Sequence, residues 1–498
     1  MIWTVSLTPR QRFGFFLVMS LLFVFPLILA DYSYIDDNWR LFEAGTGWLA
    51  EGRFMMELLY NGLSFTAAAP NIFPLPLLIA TLCMALALNR LSLDYFDQPT
   101  VVDCLVVLPL LYTPFLLQAL SYQYDGAGVL LGIVLVVYSI TFRHRLLFLR
   151  VLLSAVLLAL ALGFYQLTIN VFVGLCCIEV LRALLDRVAL KDILQALARR
   201  LLQMLFAALL YFLCVFLFMS HERTSLLPLN AEGLATVASN FLEINRTVAQ
   251  VLEGGAGWMT LVLLVLCAIC LLKVIVHVAA SDEGGVARML RVCLIIGAAF
   301  VLFFSLSGAG LFFRDFNDGA RTLLGATALL LGLFCLTHRL LREIHPALNC
   351  LLIVPVLYML SFSYAYGRLL VVQKEFENSM TLEVVHDIDR HVALRNLKMI
   401  YVQPSDFDLW LPGGERSMAL IPALKYVRNI NDYLVLPESL QRFGIVSEWL
   451  QDPDEMARLA GLQGSGPLID RRFYAIYSAG DRGYIVFKHV QPPQGQPD

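Results

Sequence analysis

The sequence predicts a polytopic α-helical membrane protein with about eleven transmembrane helices and a small C-terminal α/β domain on the outer face of the membrane. Three observations carry this expectation. Hydrophobic residues fill 59% of the 498 positions and charged residues only 15%, against about a quarter charged in soluble domains, and mean hydropathy is +0.73. Apolar runs long enough to cross a bilayer recur through residue 366. From Gly367 onward charges and Pro/Gly turns return, which divides the chain into modules 1–366 and 367–498.

The predicted spans lie near 13–30, 72–90, 102–120, 126–142, 146–163, 165–182, 201–219, 258–277, 292–310, 322–338 and 347–366. The first lacks a small-residue cleavage signature and is followed by many more, so it reads as a retained helix rather than a signal peptide. Only Gly163–Gln166 separates the fifth from the sixth. Sixteen Lys and Arg residues fall in one set of inter-span segments, including Arg10, Arg143, Arg182, Lys273, Arg291, Arg339 and Arg342. Six fall in the other: Arg40, Arg53, Arg223, Arg246, Arg314 and Arg321. The richer set faces the cytoplasm by the positive-inside rule, so the N-terminus is cytoplasmic and the loops 31–71, 221–257 and 311–321 are outer, with everything after Gly367. Loop 91–100 fits the inner face poorly because it carries Asp94 and Asp97.

In loop 31–71, Trp39, Leu41, Phe42, Trp48, Leu49, Phe54, Met55, Leu58 and Leu59 recur at spacings suited to one or two amphipathic helices at the interface. In the C-terminal module, strand-like runs at 397–402, 473–478 and 484–488 alternate with helix candidates near 416–428 and 437–450. His386 and His391, among Asp387 and Asp389, suit a solvated helix better than a metal site. All ten cysteines lie in or beside apolar runs, as buried small hydrophobes do, with neither a zinc spacing nor a disulfide framework.

The stretch Asp31-Tyr-Ser-Tyr-Ile-Asp36-Asp37-Asn-Trp-Arg40 stands out because carboxylates at the mouth of a membrane helix are costly unless they face water, a partner or a substrate. Asp36 or Asp37 can cap a following helix, but a cap needs one carboxylate and two are present. Other polar groups gather at outer span ends: Tyr122, Gln123 and Asp125 after the third, Tyr165 and Gln166 at the fifth. Arg314 and Arg321 flank Asp315 and Asp318, and Arg53 lies in the first loop. Tyr at such a depth also serves as a plain interfacial anchor, and the arginines also serve as partners for Asp315, Asp318 or Glu57.

The segments YIDDNWR at 34–40, GWLAEGRFMMELL at 47–59, NIFPLPLLIA at 71–80, LSYQYDG at 120–126, FYQLTIN at 164–170 and NDGAR at 317–321 resemble bacterial and phage membrane glucosyltransferases that decorate lipopolysaccharide O-antigen, the serotype-converting type. The resemblance spans most of the chain and is loosest in the C-terminal module. It implies a GT-C type fold in the inner membrane, an undecaprenyl (polyprenyl) phosphate-glucose donor, an O-antigen glycan acceptor on the periplasmic side and inversion at the anomeric carbon. It involves no nucleic acid. For such a reaction Asp36 and Asp37 are the catalytic candidates, one taking the acceptor proton and the other orienting a neighbour. Arg321, Arg314 and Arg53 would compensate the donor phosphate, and Arg40, Tyr122, Asp125, Tyr165, Gln166 and Asp318 would contact sugar. A monophosphate leaving group removes most of the need for a divalent cation, so no cofactor is expected. A lipid-linked sugar transporter would instead place ionisable groups in mid-span and show internal repeats. An O-antigen polymerase or ligase would use a diphosphate-linked glycan.

Overall fold

A computed structural model describes residues 5–216, 226–252, 255–281, 283–314, 316–405, 410–428 and 435–491. Asp315 and residues 221–225 at the start of loop 221–257, Arg223 among them, lie outside the described residues. The chain opens with helix α1 (Pro9–Ala30), started by a capping box in which Thr8 accepts from the Gln11 N–H and the Gln11 side chain accepts from Thr8. Two short helices, α2 (Asp37–Glu43) and α3 (Phe54–Ser64), fill the first loop and lead to α4 (Leu75–Tyr95).

The third apolar run is not one rod. It breaks into α5 (Val101–Val107) and α6 (Pro114–Ser121), bent by 57°, because Pro109 and Pro114 each remove a helical N–H and crowd the preceding turn. Then follow α7 (Gly126–Thr141), α8 (Leu147–Phe164), α9 (Thr168–Leu185), α10 (Leu190–Val215), α11 (Ala231–Val251), α12 (Gly255–Ala279), α13 (Gly285–Phe304), α14 (Ala326–Ile344) and α15 (Ile353–Arg390).

Among the described residues, eight helices are long and apolar enough to cross a bilayer, or nine if the bent pair is one span. Two further runs read from the sequence are helical but fall short. Helix α7 has 16 residues, and α14 carries Arg339, Arg342 and Glu343 in its last turns. The close fifth and sixth runs are separate helices, α8 and α9, parted at Tyr165–Leu167. Of their most apolar stretches, α4 and α9 bury 56% and 67%, whereas α10, α12 and α13 bury only 22%, 17% and 22%. Apolar helices this exposed need lipid or another apolar surface around them.

Helix α15 runs for 38 residues without interruption, through Gly367 and into the C-terminal module. Gly367 packs so closely that a Cβ there would meet Pro26 Cβ at 2.5 Å. After it come α16 (Val392–Arg395), β1 (Met399–Val402), α17 (Glu415–Leu420), α18 (Ala423–Arg428), α19 (Pro437–Gln441), β2 (Ser447–Trp449), α20 (Pro453–Gln463), β3 (Ile469–Asp470), β4 (Tyr474–Ala479) and β5 (Arg482–Phe487). They build a five-stranded sheet of order β2-β1-β5-β4-β3, parallel at β1 and antiparallel elsewhere. The helix expected over 437–450 stops at Gln441. Gly444 turns the chain at φ +78°, and Ser447–Trp449 pairs with Ile400–Val402 instead.

The sheet is pinned to α15 by Asp387, which is buried and accepts from Arg471 Nε (2.8 Å), Arg471 Nη2 (2.6 Å) and the Tyr474 hydroxyl (2.8 Å). The helix expected to be solvated around residue 387 therefore has one buried face, while His386, Asp389 and His391 stay exposed. Helix α18 joins the main apolar core through Ala423, Leu424 and Val427.

Candidate functional site

The acidic stretch begins where α1 ends. Asp31 takes the left-handed C-cap (φ 44°), and its carboxylate accepts from Gln123 Nε2 (3.1 Å) and pairs with Lys374 Nζ (3.0 Å). Ile35 turns the chain at φ 36°, and α2 starts with Asp37. Asp37 is wholly buried. Its oxygens accept backbone N–H groups from Tyr34 (2.9 Å), Gln123 (2.8 Å) and Tyr124 (3.2 Å), so this carboxyl ties the acidic loop to the chain after α6. Burial pushes it up to about 8, against those three donors, which favour the ionised form.

Asp36 is the opposite case. Its side chain is exposed, makes no capping bond, and has no hydrogen bond or ion pair among the described residues. Desolvation by the surrounding protein raises its pKa; Arg321 is the largest opposing charge, Asp125 and Glu51 add to the rise, and Arg40 resists it.

A second cluster lies beside it. Asp125 accepts from Trp48 Nε1 (2.8 Å) and Arg53 Nη1 (3.2 Å), with Arg40 Nε at 3.8 Å. Arg40 is buried between two indoles, 4.6 Å from the Trp39 centroid and 4.4 Å from that of Trp48, and donates to the carbonyls of Gly45 and Thr46. Arg53 also pairs with Glu51 (3.2 Å) and lies over the Tyr165 ring (5.1 Å). Gln166 Nε2 donates to the Glu51 carbonyl (2.6 Å) and the Tyr211 hydroxyl (2.9 Å), stapling the first loop to α10.

The third part is aromatic and cationic. The Tyr122 ring sits 4.7 Å from Tyr34, and Arg321 lies over its other surroundings at 5.1 Å from the centroid. Neither the Tyr122 hydroxyl nor the Arg321 guanidinium has a hydrogen-bond partner among the described residues. The Arg321 backbone is fixed, since its N–H donates to Gln118 Oε1 (2.7 Å) while Gln118 Nε2 donates to the Tyr34 hydroxyl (3.1 Å).

Asp36, Arg40, Arg53, Tyr122, Asp125, Tyr165 and Arg321 thus gather from the first loop, the α6–α7 turn, the α8–α9 turn and the α13–α14 segment. Gln166 sits behind them. Asp318 lends its backbone carbonyl to the Tyr426 hydroxyl of α18, and no described contact joins its carboxylate to the cluster. Arg314 is exposed beside the Leu226–Phe313 bridge and is likewise not joined to it. Gln118, Trp48, Glu51 and Lys374 were not among the residues expected from sequence. Gln118 carries a usable signal, a polar amide inside an apolar run; Trp48 belongs to the amphipathic spacing of loop 31–71, and nothing in the sequence around Lys374 points to Asp31.

A family model described as glucosyl transferase GtrII matches residues 25–366, which takes in every element of the cluster. A Salmonella phage P22 protein, described as an uncharacterized 55.3 kDa protein in the gtrB 5' region, is 22% identical over 250 residues, 49% of this chain and 52% of that one. The chain therefore spans about half the length of the curated relative it matches. No solved structure matches. A model that covers this much of the chain, site included, identifies the protein as a member of the GtrII glucosyl transferase family.

Proposed function

We propose that the protein transfers glucose from a polyprenyl phosphate to a hydroxyl of lipopolysaccharide O-antigen, at the periplasmic face of the inner membrane and with inversion at the anomeric carbon. The observation that carries this reading is that two opposite charges within electrostatic reach of each other are both unspent: Asp36 is an exposed carboxylate and Arg321 a guanidinium lying over the Tyr122 ring, and neither side chain has a hydrogen bond or ion pair among the described residues. Asp36 takes the proton of the acceptor hydroxyl. The hydroxyl oxygen then forms a bond to the anomeric carbon while the bond from that carbon to the phosphate oxygen breaks, and the electron pair leaves with the phosphate. Attack opposite the leaving group inverts the centre. Arg321 compensates the phosphate charge through its unengaged N–H groups.

Asp37 is the positioning carboxyl, and Asp125 holds Arg40 and Arg53 at the rim, where Tyr122 and Tyr165 offer rings to a sugar. The outer-face assignment rests on the excess of Lys and Arg in the opposite set of loops. Transfer of labelled sugar from synthetic polyprenyl-phosphate glucose to purified O-antigen by the solubilised chain tests the reading, with Asp36→Asn as control and EDTA in parallel. Loss in the variant alone supports it. Failure of the wild-type chain to transfer from this donor overturns it, and sensitivity to EDTA brings a divalent ion into the reaction.

A further inference from the structure

The far ends of the helices carry a second polar feature. Helix α9 runs from Thr168, beside the Gln166 turn, to Leu185, about 27 Å at 1.5 Å per residue. At that distal end two recesses open, one of about 300 Å³ between the end of α4, α9 and α14 and one of about 370 Å³ between α9, α12, α13 and α14, and they share Leu185, Arg339 and Glu343 in their walls. Ile178, Leu181, Gly332 and Leu336 give the first recess one apolar wall. The mouths are basic. Arg182, Arg187, Lys273, Arg291, Arg339 and Arg342 stand against Asp186, Glu283 and Glu343, six cations to three carboxylates.

Part of this charge is spent internally. Arg339 pairs with Asp186 (3.1 Å) and Glu343 (3.5 Å), Lys273 with Glu343 (2.8 Å), and Arg291 with Glu283 (2.8 Å). The rest is open. Arg342 and Arg187 are exposed, with no side-chain hydrogen bond or ion pair among the described residues. Arg182 lies 4.0 Å over the Tyr95 ring and uses one N–H on the Tyr95 carbonyl (2.8 Å), so its guanidinium is held in place with donors to spare. Beside the mouths, Ile269, Leu272 and Val276 of α12 point apolar surface outward.

We propose that these recesses bind the phosphate of an anionic membrane lipid, with Arg182 and Arg342 on the headgroup and the acyl chains along the exposed face of α12. A fixed guanidinium, free cations of net excess and an adjoining hydrocarbon-like wall match the two halves of such a molecule. A zwitterionic lipid lacks the net charge, and free phosphate lacks the chains. The site is independent of the acidic cluster and does not rest on the proposed reaction.

The test uses the full-length chain in an uncharged maltoside detergent, with Tm measured against added phosphatidylglycerol, phosphatidylcholine or inorganic phosphate at matched concentration. Phosphatidylglycerol is expected to raise Tm saturably, phosphatidylcholine and phosphate to leave it unchanged. The shift should shrink in Arg342→Gln, vanish in Arg182→Gln/Arg342→Gln and persist in Lys398→Gln, a distant control. Because Arg182 also holds the Tyr95 carbonyl, Arg187→Gln/Arg342→Gln, two exposed positions, gives a second reading that does not disturb packing. Equal shifts from phosphatidylcholine or from phosphate, or an undiminished shift in both double variants, would overturn the proposal.

Discussion

The two adjacent aspartates show how one peptide bond separates different chemistries. Asp36 reaches solvent; Asp37 is enclosed and holds three backbone N–H groups. Asp36→Asn is expected to fold and to lose transfer by about 10²-fold or more, the usual range for a general base, read in the labelled-sugar assay against an unchanged Tm. Since the Asp36 pKa is raised, transfer should fall as pH drops through that raised value, where the base becomes protonated. Asp37 leaves its mark on stability. Its folded-state pKa, about 8, lies above the ordinary 3.8, so between these values the folded chain holds a proton that the unfolded chain has lost. Its contribution to stability is therefore complete below about pH 4 and declines as pH rises toward 8. Wild-type Tm should drop from pH 5 to pH 8 more steeply than that of Asp37→Asn, and parallel curves would remove this account.

At the scale of elements, the site depends on breaks in helices more than on the helices themselves. The bend between α5 and α6 brings Gln118 to the Arg321 N–H and the Tyr34 hydroxyl. Gln118→Leu leaves the volume of the side chain roughly intact but orphans the part-buried Arg321 N–H, at a cost of about 1–3 kcal/mol, and takes one donor from the Tyr34 hydroxyl, which keeps its bond to the Arg428 carbonyl. Transfer should fall while the apolar core survives, seen as lost kcat with a retained, lowered Tm. Gly126 starts α7 where a Cβ would lie 2.9 Å from the Leu120 backbone. Gly126→Ala is thus expected to displace the Tyr122–Asp125 turn and lower both Tm and activity.

Much of this was readable beforehand. The apolar spacing in 31–71 points to short helices there, and the fifth and sixth runs, with only Gly163–Gln166 between them, are two helices, α8 and α9. The junction of Trp48 and Arg53 with Asp125 was not readable, because those partners lie 77 and 72 residues apart and no local pattern encodes the pairing. The strand at Ser447 escaped for the same reason: its three residues are strand-like only once the β1 edge is beside them.

At the scale of the whole molecule, the C-terminal module reaches back to the site at several points. Arg442 Nη2 donates to Asn38 Oδ1 (2.9 Å), the Tyr34 hydroxyl donates to the Arg428 carbonyl, and Lys374 holds Asp31. Arg442→Ala should loosen α2 and reduce transfer severalfold, checked by kcat in a variant whose Tm is nearly unchanged. These ties matter because α15 has no joint. Its 38 residues amount to about 57 Å of unbroken helix, against about 30 Å of hydrocarbon. A mast of that length leaves almost half of itself standing clear of the bilayer, with the five-stranded sheet bolted to it at Asp387. Through that carboxylate the sheet is tied directly to the helix. If the proposed reaction holds, an acceptor sugar would meet the site at a height above the bilayer that this helix sets.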